Sequence, residues 1–157
     1  MAKEKLHAVA DGVPQLDDFL CFAVYSANLA FNRLYKPLLE DLNLTYPQYL
    51  VLVALADEDN QTVGGLGSKL FLDSSTLTPL LKRMEGVGYL TRQRDPEDER
   101  QVRIRLTPEG RRIREAALCF RGGLLMATGL TPAAFAKLRE DLVTLRDNLT
   151  DAARVKP

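Results

Sequence analysis

Two thiols and one face of hydroxyls and cations are the chemically capable groups of this chain. Cys21 and Cys119 are the two cysteines among 157 residues. A thiolate can be oxidised by a peroxide and can then pass to a disulfide. No Cys or His stands near either at metal-ligand spacing, so no metal site is expected, and no cofactor. In a reducing compartment, two cysteines this far apart also fit buried small apolar residues, and spacing alone leaves both roles open. The second group lies between Asp73 and Leu106. Ser75, Thr76 and Thr78 can donate or accept at base edges or phosphates, whereas Lys82 and Arg83 suit phosphate contacts that position without reading sequence. Arg94, Asp98 and Arg100 follow on a basic, turn-like stretch. A solvated helix and an ordinary hairpin fit the same pattern. With only His7 beside these groups, the constellation of a thiol peroxidase is missing, and an enzyme is not expected.

The elements carrying these groups are legible from their punctuation. Asp73, Ser74 or Ser75 can accept the free amides of a first helical turn, and Leu77, Leu80, Leu81 and Met84 recur at helical spacing. Gly86 and Gly88 end that helix. Tyr89 to Arg94 and Gln101 to Leu106 alternate as two strands, with Val102, Ile104 and Leu106 against Arg103 and Arg105. The tip between them, Asp95 to Arg100, is too charged to be expected in a core. Such a helix and hairpin can place one element in a DNA groove and another on the adjoining backbone.

Charge is distributed in the same sense. Net charge is zero, but residues 82 to 114 hold ten basic against six acidic residues, while residues 1 to 62 hold four basic against nine acidic. A local basic patch, not a sticky polycation, is implied. The 46% apolar content is that of a folded chain. Lys3, Glu4, Lys5, His7 and Asp11 leave no signal-peptide core, and no apolar run approaches the ~20 residues of a membrane span. The expected location is the cytoplasm.

Around the central segment lie longer apolar helices. Val13 to Tyr35 reads as one helix with the stripe Leu16, Phe19, Leu20, Ala23, Ala27, Ala30, Phe31 and Leu34. Pro37 is expected to open a second, short helix to Leu42. Thr45 and Gln48 have capping-box spacing before a helix from Tyr49 to Ala56. Asp57 to Gln61 reads as a polar loop, and Thr62 to Leu70 as a short helix leading to Asp73. Thr107-Pro108 caps a helix that turns apolar through Cys119 and Phe120, with a break expected at Gly122-Gly123. Thr131-Pro132 opens a last helix with Phe135, Leu138, Leu142, Leu145 and Leu149 on one stripe. The expected fold is mainly α with a small β-hairpin wing, one unit over 1–157. It comprises a winged helix-turn-helix at 45–106 and dimerisation helices at 13–42 and 108–153.

Several stretches resemble one family over nearly the whole chain. Leu72-Asp73-Ser74-Ser75-Thr76-Leu77-Thr78-Pro79-Leu80-Leu81-Lys82-Arg83-Met84-Glu85 and Glu97-Asp98-Glu99-Arg100 resemble the MarR family of winged-helix repressors. Leu20-Cys21-Phe22-Ala23-Val24-Tyr25, Leu34-Tyr35-Lys36-Pro37-Leu38-Leu39 and Leu44-Thr45-Tyr46-Pro47-Gln48-Tyr49 resemble its organic-hydroperoxide-sensing branch, OhrR. The resemblance implies a homodimer on a pseudo-palindromic double-stranded operator. It places the helix from Asp73 in the major groove and Arg100, oriented by Asp98, in the minor groove. It also implies that Cys21 is the oxidised thiol, that Tyr35 and Tyr46 hydrogen-bond its sulfur, and that Tyr25 is a lesser candidate. Cys119 is then either a resolving cysteine or a core residue, the alternative to resolution being a mixed disulfide with a small thiol. A family member released by a small lipophilic or phenolic ligand is the other reading the resemblance allows. Independently of it, Cys21 and Tyr35 are fourteen residues apart. On one helix that is about 21 Å, so they can meet only through a second chain or a reversal.

Overall fold

The computed structural model describes residues 13–119 and 121–154, without the side chains of Arg121 and Gly122. The residues considered for a signal sequence, the start of the chain and Phe120 therefore lie outside it. Seven helices and three strands are described: α1 Leu20–Glu40, α2 Tyr46–Asp57, β1 Gln61–Thr62, α3 Val63–Leu70, α4 Ser74–Gly86, β2 Leu90–Arg94, β3 Val102–Leu106, α5 Pro108–Leu118, α6 Arg121–Thr128 and α7 Pro132–Arg154.

The first helix departs from the sequence reading at both ends. It begins at Leu20, because Gln15 to Asp18 close a separate 3-10 turn in which the Gln15 amide donates to Asp18 Oδ2 at 2.9 Å. It also runs through Pro37 to Glu40 instead of restarting there. Burying Leu39 is worth about 2 kcal/mol, and Leu42 packs against the same core. Together they offset the ~3 kcal/mol of an interior proline. Downstream, Gly122 and Gly123 fall inside α6, and the break comes earlier, after Leu118.

Local caps behave as their residue types dictate. The Thr45 amide donates to Gln48 Oε1 at 2.8 Å, Asp73 Oδ1 accepts from the Thr76 amide at 2.8 Å, and Thr107 Oγ1 accepts from the Gly110 amide at 3.0 Å. Each satisfies a donor that the first helical turn leaves free.

The polar stretch after α2 is not wholly a loop. Gln61–Thr62 forms a third strand, giving the antiparallel order β1-β3-β2, with Gln61 opposite Ile104 and Leu90 opposite Leu106. Gln61 is buried, and its Nε2 donates to the Ala54 and Glu58 carbonyls. The core lies between this sheet and α2 to α5: Leu52, Leu55, Leu66, Leu77, Leu81, Met84 and Ile104 are all at most 1% exposed. By contrast, no residue of α7 is buried, and Leu138, Leu142 and Leu149 are exposed, as are Phe19, Leu20 and Val24 near the start of α1. No single helix among the described residues is long and apolar enough to cross a membrane.

Candidate DNA interface and thiol site

Helix α4 is held by its apolar side and presents its polar one. Leu77, Leu81 and Met84 are buried, whereas Ser75, Thr76, Lys82 and Arg83 are exposed and Thr78 is half-buried. Ser75 is partly committed to the cap, its hydroxyl donating to Asp73 Oδ1 at 2.5 Å. That bond, and after it the Thr76 amide, hold the Asp73 carboxyl below the usual carboxylate range.

Much of the basic excess around the wing is internally matched. Arg103 Nε donates to buried Asp95, Arg92 lies 3.6 Å from Glu85, Arg111 reaches Asp59 at 3.1 Å and Arg112 bonds Glu109 at 2.6 Å. Arg105 Nε donates to Asn60 Oδ1 at 2.8 Å. The acidic stretch before β1 thus neutralises part of the basic stretch after α4. Lys82, Arg83 and Arg94 have no ion pair among the described residues. Arg100 is 95% exposed at its side chain, with Asp98 3.5 Å from its Nε.

The tip is a hydrogen-bonded turn and not a solvated run. Asp95, expected outside, is 5% exposed. Its carboxylate accepts the Glu97 amide at 2.9 Å and the Arg103 guanidinium, and these two hold its carboxyl below the usual range. Asp98 accepts the Arg100 amide at 3.1 Å and Gln101 Nε2 at 3.1 Å. Arg100 is therefore presented on a fixed backbone, its exposed side chain paired with Asp98.

At the other site, the structure brings the tyrosines together but not the thiol. Tyr35 of α1 meets Tyr46 and Tyr49 of α2, with ring centroids 5.2 and 5.6 Å apart, and Tyr46 and Tyr49 are 6.0 Å apart. Asn43, at φ 52°, makes the reversal that returns α2 beside α1. Burial, and after it the neighbouring Tyr35 hydroxyl, raise the Tyr46 phenol above its ordinary value, so at neutral pH it is a hydrogen-bond donor. Tyr49 was not singled out from sequence as part of this cluster. Its i, i+3 spacing from Tyr46 on one helix is the signal that carried it.

Cys21 shares α1 with Tyr35, and so lies about 21 Å from it along the helix. It is exposed in the first turn of α1, in a shallow apolar hollow formed with Leu16, Phe19, Phe22 and Tyr25. Tyr25 is 58% exposed and makes a tilted ring contact with Phe22 at 6.4 Å. Cys119 caps the end of α5, is exposed, and donates from Sγ to the Glu115 carbonyl at 3.4 Å, so it is not a core residue of this chain. Neither cysteine is in a disulfide.

Residues 33–116 match the family model described as Transcriptional regulator SarA/Rot. The chain belongs to the SarA/Rot family of MarR-like winged-helix regulators. This regulator is 48% identical to the HTH-type transcriptional regulator TtmR of Methylorubrum extorquens, over 88% of this chain and 71% of that one. It is 43% identical to the organic hydroperoxide resistance transcriptional regulator of Bacillus subtilis, over 86% and 92%. Among solved structures it is similar to reduced AbfR bound to DNA, with a TM-score of 0.76 and 33% identity over 88% of this chain and 94% of that one. AbfR, from Staphylococcus epidermidis, has also been solved in a disulfide form, at 37% identity and a TM-score of 0.63 over 83% and 91%. The mainly helical regulator with its small sheet is thus a DNA-binding winged helix, as its central segment implied.

Proposed function

We propose that this regulator is a homodimeric, redox-sensing repressor in the cytoplasm, released from a pseudo-palindromic operator when an organic hydroperoxide oxidises Cys21. The observation that carries this reading is the division of the thiol site. One chain pairs the Tyr35 and Tyr46 rings at 5.2 Å, yet leaves Cys21 exposed at the far end of the same helix. Exposed apolar side chains flank Cys21, namely Phe19, Leu20 and Val24, and a second stripe lines α7. Pairing these surfaces with those of a second chain would bury apolar area and bring a partner's tyrosine hydroxyls to the sulfur. The organic hydroperoxide resistance regulator of Bacillus subtilis and the disulfide form of AbfR support the same chemistry.

The Cys21 thiolate attacks the distal peroxide oxygen and the O–O bond breaks. Sulfur gives up two electrons and becomes sulfenic acid, and the other oxygen leaves as the alcohol once protonated. Condensation with a second thiol, Cys119 of the other chain or a small-molecule thiol, then forms a disulfide and releases water. Repacking around α1 moves the two α4 helices relative to each other. On DNA, Thr76 and Thr78 face base edges, while Lys82, Arg83 and Arg94 hold phosphates. Arg100 enters the minor groove, whose narrowness concentrates negative potential.

Cys21→Ser is expected to keep operator binding in a gel shift and to lose release by cumene hydroperoxide. Retained release in that variant overturns the sensor assignment. A second reading, release by a lipophilic or phenolic ligand, is favoured by an apolar cleft of Leu34, Tyr35, Leu38 and Leu124 between α1 and α6. Ligand-driven release at unchanged intact mass would select it.

A further inference from the structure

The turn between α3 and α4 carries a side chain that neither DNA reading nor thiol chemistry uses. Phe71 caps α3 at φ 55°, in the left-handed region that a Cβ disfavours and where helices usually end in glycine. It is 60% exposed, so burial does not explain a large aromatic there. Its ring instead lies under the Arg146 guanidinium of α7, 4.4 Å from Cζ to the ring centroid. Asp147 fixes that guanidinium through Nε and Nη2 at 2.8 and 2.7 Å. Arg146 follows Leu142 by four residues and precedes Leu149 by three, so it sits within the exposed apolar stripe of α7. Two residues after Phe71, Asp73 caps the reading helix.

We propose that the Phe71–Arg146 contact is a positioning device that fixes the angle of α4 against α7, and through it the spacing between the two reading heads of the dimer. The inference rests on the dimeric reading above. A cation over an aromatic face is attractive but tolerant of small shifts, which suits a joint between two bodies. On a symmetric operator each contact acts once per protomer, and any tilt of α4 appears as an altered distance between half-sites.

The test is a double-mutant cycle on the full chain: wild type, Phe71→Leu, Arg146→Gln and the double variant. A duplex is first selected from a random library by the wild type, and its half-site spacing is then varied by single base pairs. Each single variant should weaken the preference for the best spacing by about two- to fivefold per protomer, and the double variant no further. Arg146→Lys and Phe71→Tyr, which keep a cation and a ring, should retain the preference, with melting and sedimentation as in wild type. Arg146 is exposed, so Arg146→Gln decides the matter even if Phe71→Leu folds poorly. Unchanged spacing preference, additive losses, or an equal loss on every duplex with a shallower salt dependence overturns the proposal. A monomeric wild type overturns the dimeric reading together with it, whereas a dimer indifferent to these substitutions overturns the proposal alone.

Discussion

Replacing Arg100 with alanine separates electrostatic reading from folding. The Arg100 side chain is 95% exposed, and its one ion pair among the described residues, with Asp98 at 3.5 Å, is a surface pair worth about 0–1 kcal/mol. The turn itself is held by backbone donors and by Asp95 and Asp98, none of which the substitution removes. Wing and fold should therefore survive. On DNA, each neutralised phosphate charge contributes about 0.9 to the slope of log affinity against log salt. Two copies of Arg100 per dimer thus predict a slope shallower by about 1.8. Between about 50 and 200 mM salt, a fourfold span, wild-type affinity should fall about twelvefold more than that of Arg100→Ala. Fluorescence anisotropy on a selected duplex across that range reads the difference directly. An unchanged slope would show that Arg100 stays with Asp98 on DNA, and would refute minor-groove insertion.

Four further outcomes follow from particular contacts. Gly110→Ala would drive a Cβ into the Tyr89 carbonyl, with its carbon at 2.8 Å and Leu106 Cδ2 at 3.3 Å. Urea melts should show a loss of about 1–3 kcal/mol from overpacking, more if the 3.1 Å Thr107–Tyr89 backbone bond also breaks. Leu81→Ala, at a position 0% exposed, should lower stability by about 2–5 kcal/mol in the same assay. Asp95 has a folded-state pKa below its unfolded one, so its contribution is complete above the usual carboxylate range and is lost as pH falls through the folded value. The protection factor of the Glu97 amide, taken against its intrinsic exchange rate at each pH, should accordingly be full at neutral pH and fall as pH drops below the usual carboxylate range. Tyr46→Phe removes the hydroxyl of this half-buried residue without the ring, and should slow sulfenic acid formation at Cys21, followed by mass spectrometry, while leaving DNA affinity intact.

Caps and stripes were legible because they are local. Asp73, Thr107 and the Thr45–Gln48 pair act within three residues, and α4 shows its buried side in the spacing of Leu77, Leu81 and Met84. Strand β1 was not, since two residues carry no period and their partner Ile104 is 43 positions away. Nor was the burial of Asp95, whose counter-ion Arg103 comes from the returning strand. The continuous stripe from Leu16 hid the break before Leu20, which depends on Asp18 accepting from Gln15. At the thiol site, a resemblance supplied the residues. The sequence alone could state that Cys21 and Tyr35 do not meet on one helix, but the meeting of Tyr35 with Tyr46 needed the reversal at Asn43.

The short strand β1 has a mechanical consequence. Through it, the start of α3 is hydrogen-bonded to β3, and the preceding loop is stapled further by Asp59 to the Leu106 amide and to Arg111, and by Asn60 to Arg105. Helix α3 and the wing are thereby one stiff unit, and α4 joins it where the Glu85 carboxylate accepts the Arg92 amide of β2 at 3.0 Å. On the proposed release by Cys21 oxidation, α4 and the wing would leave the DNA as one unit.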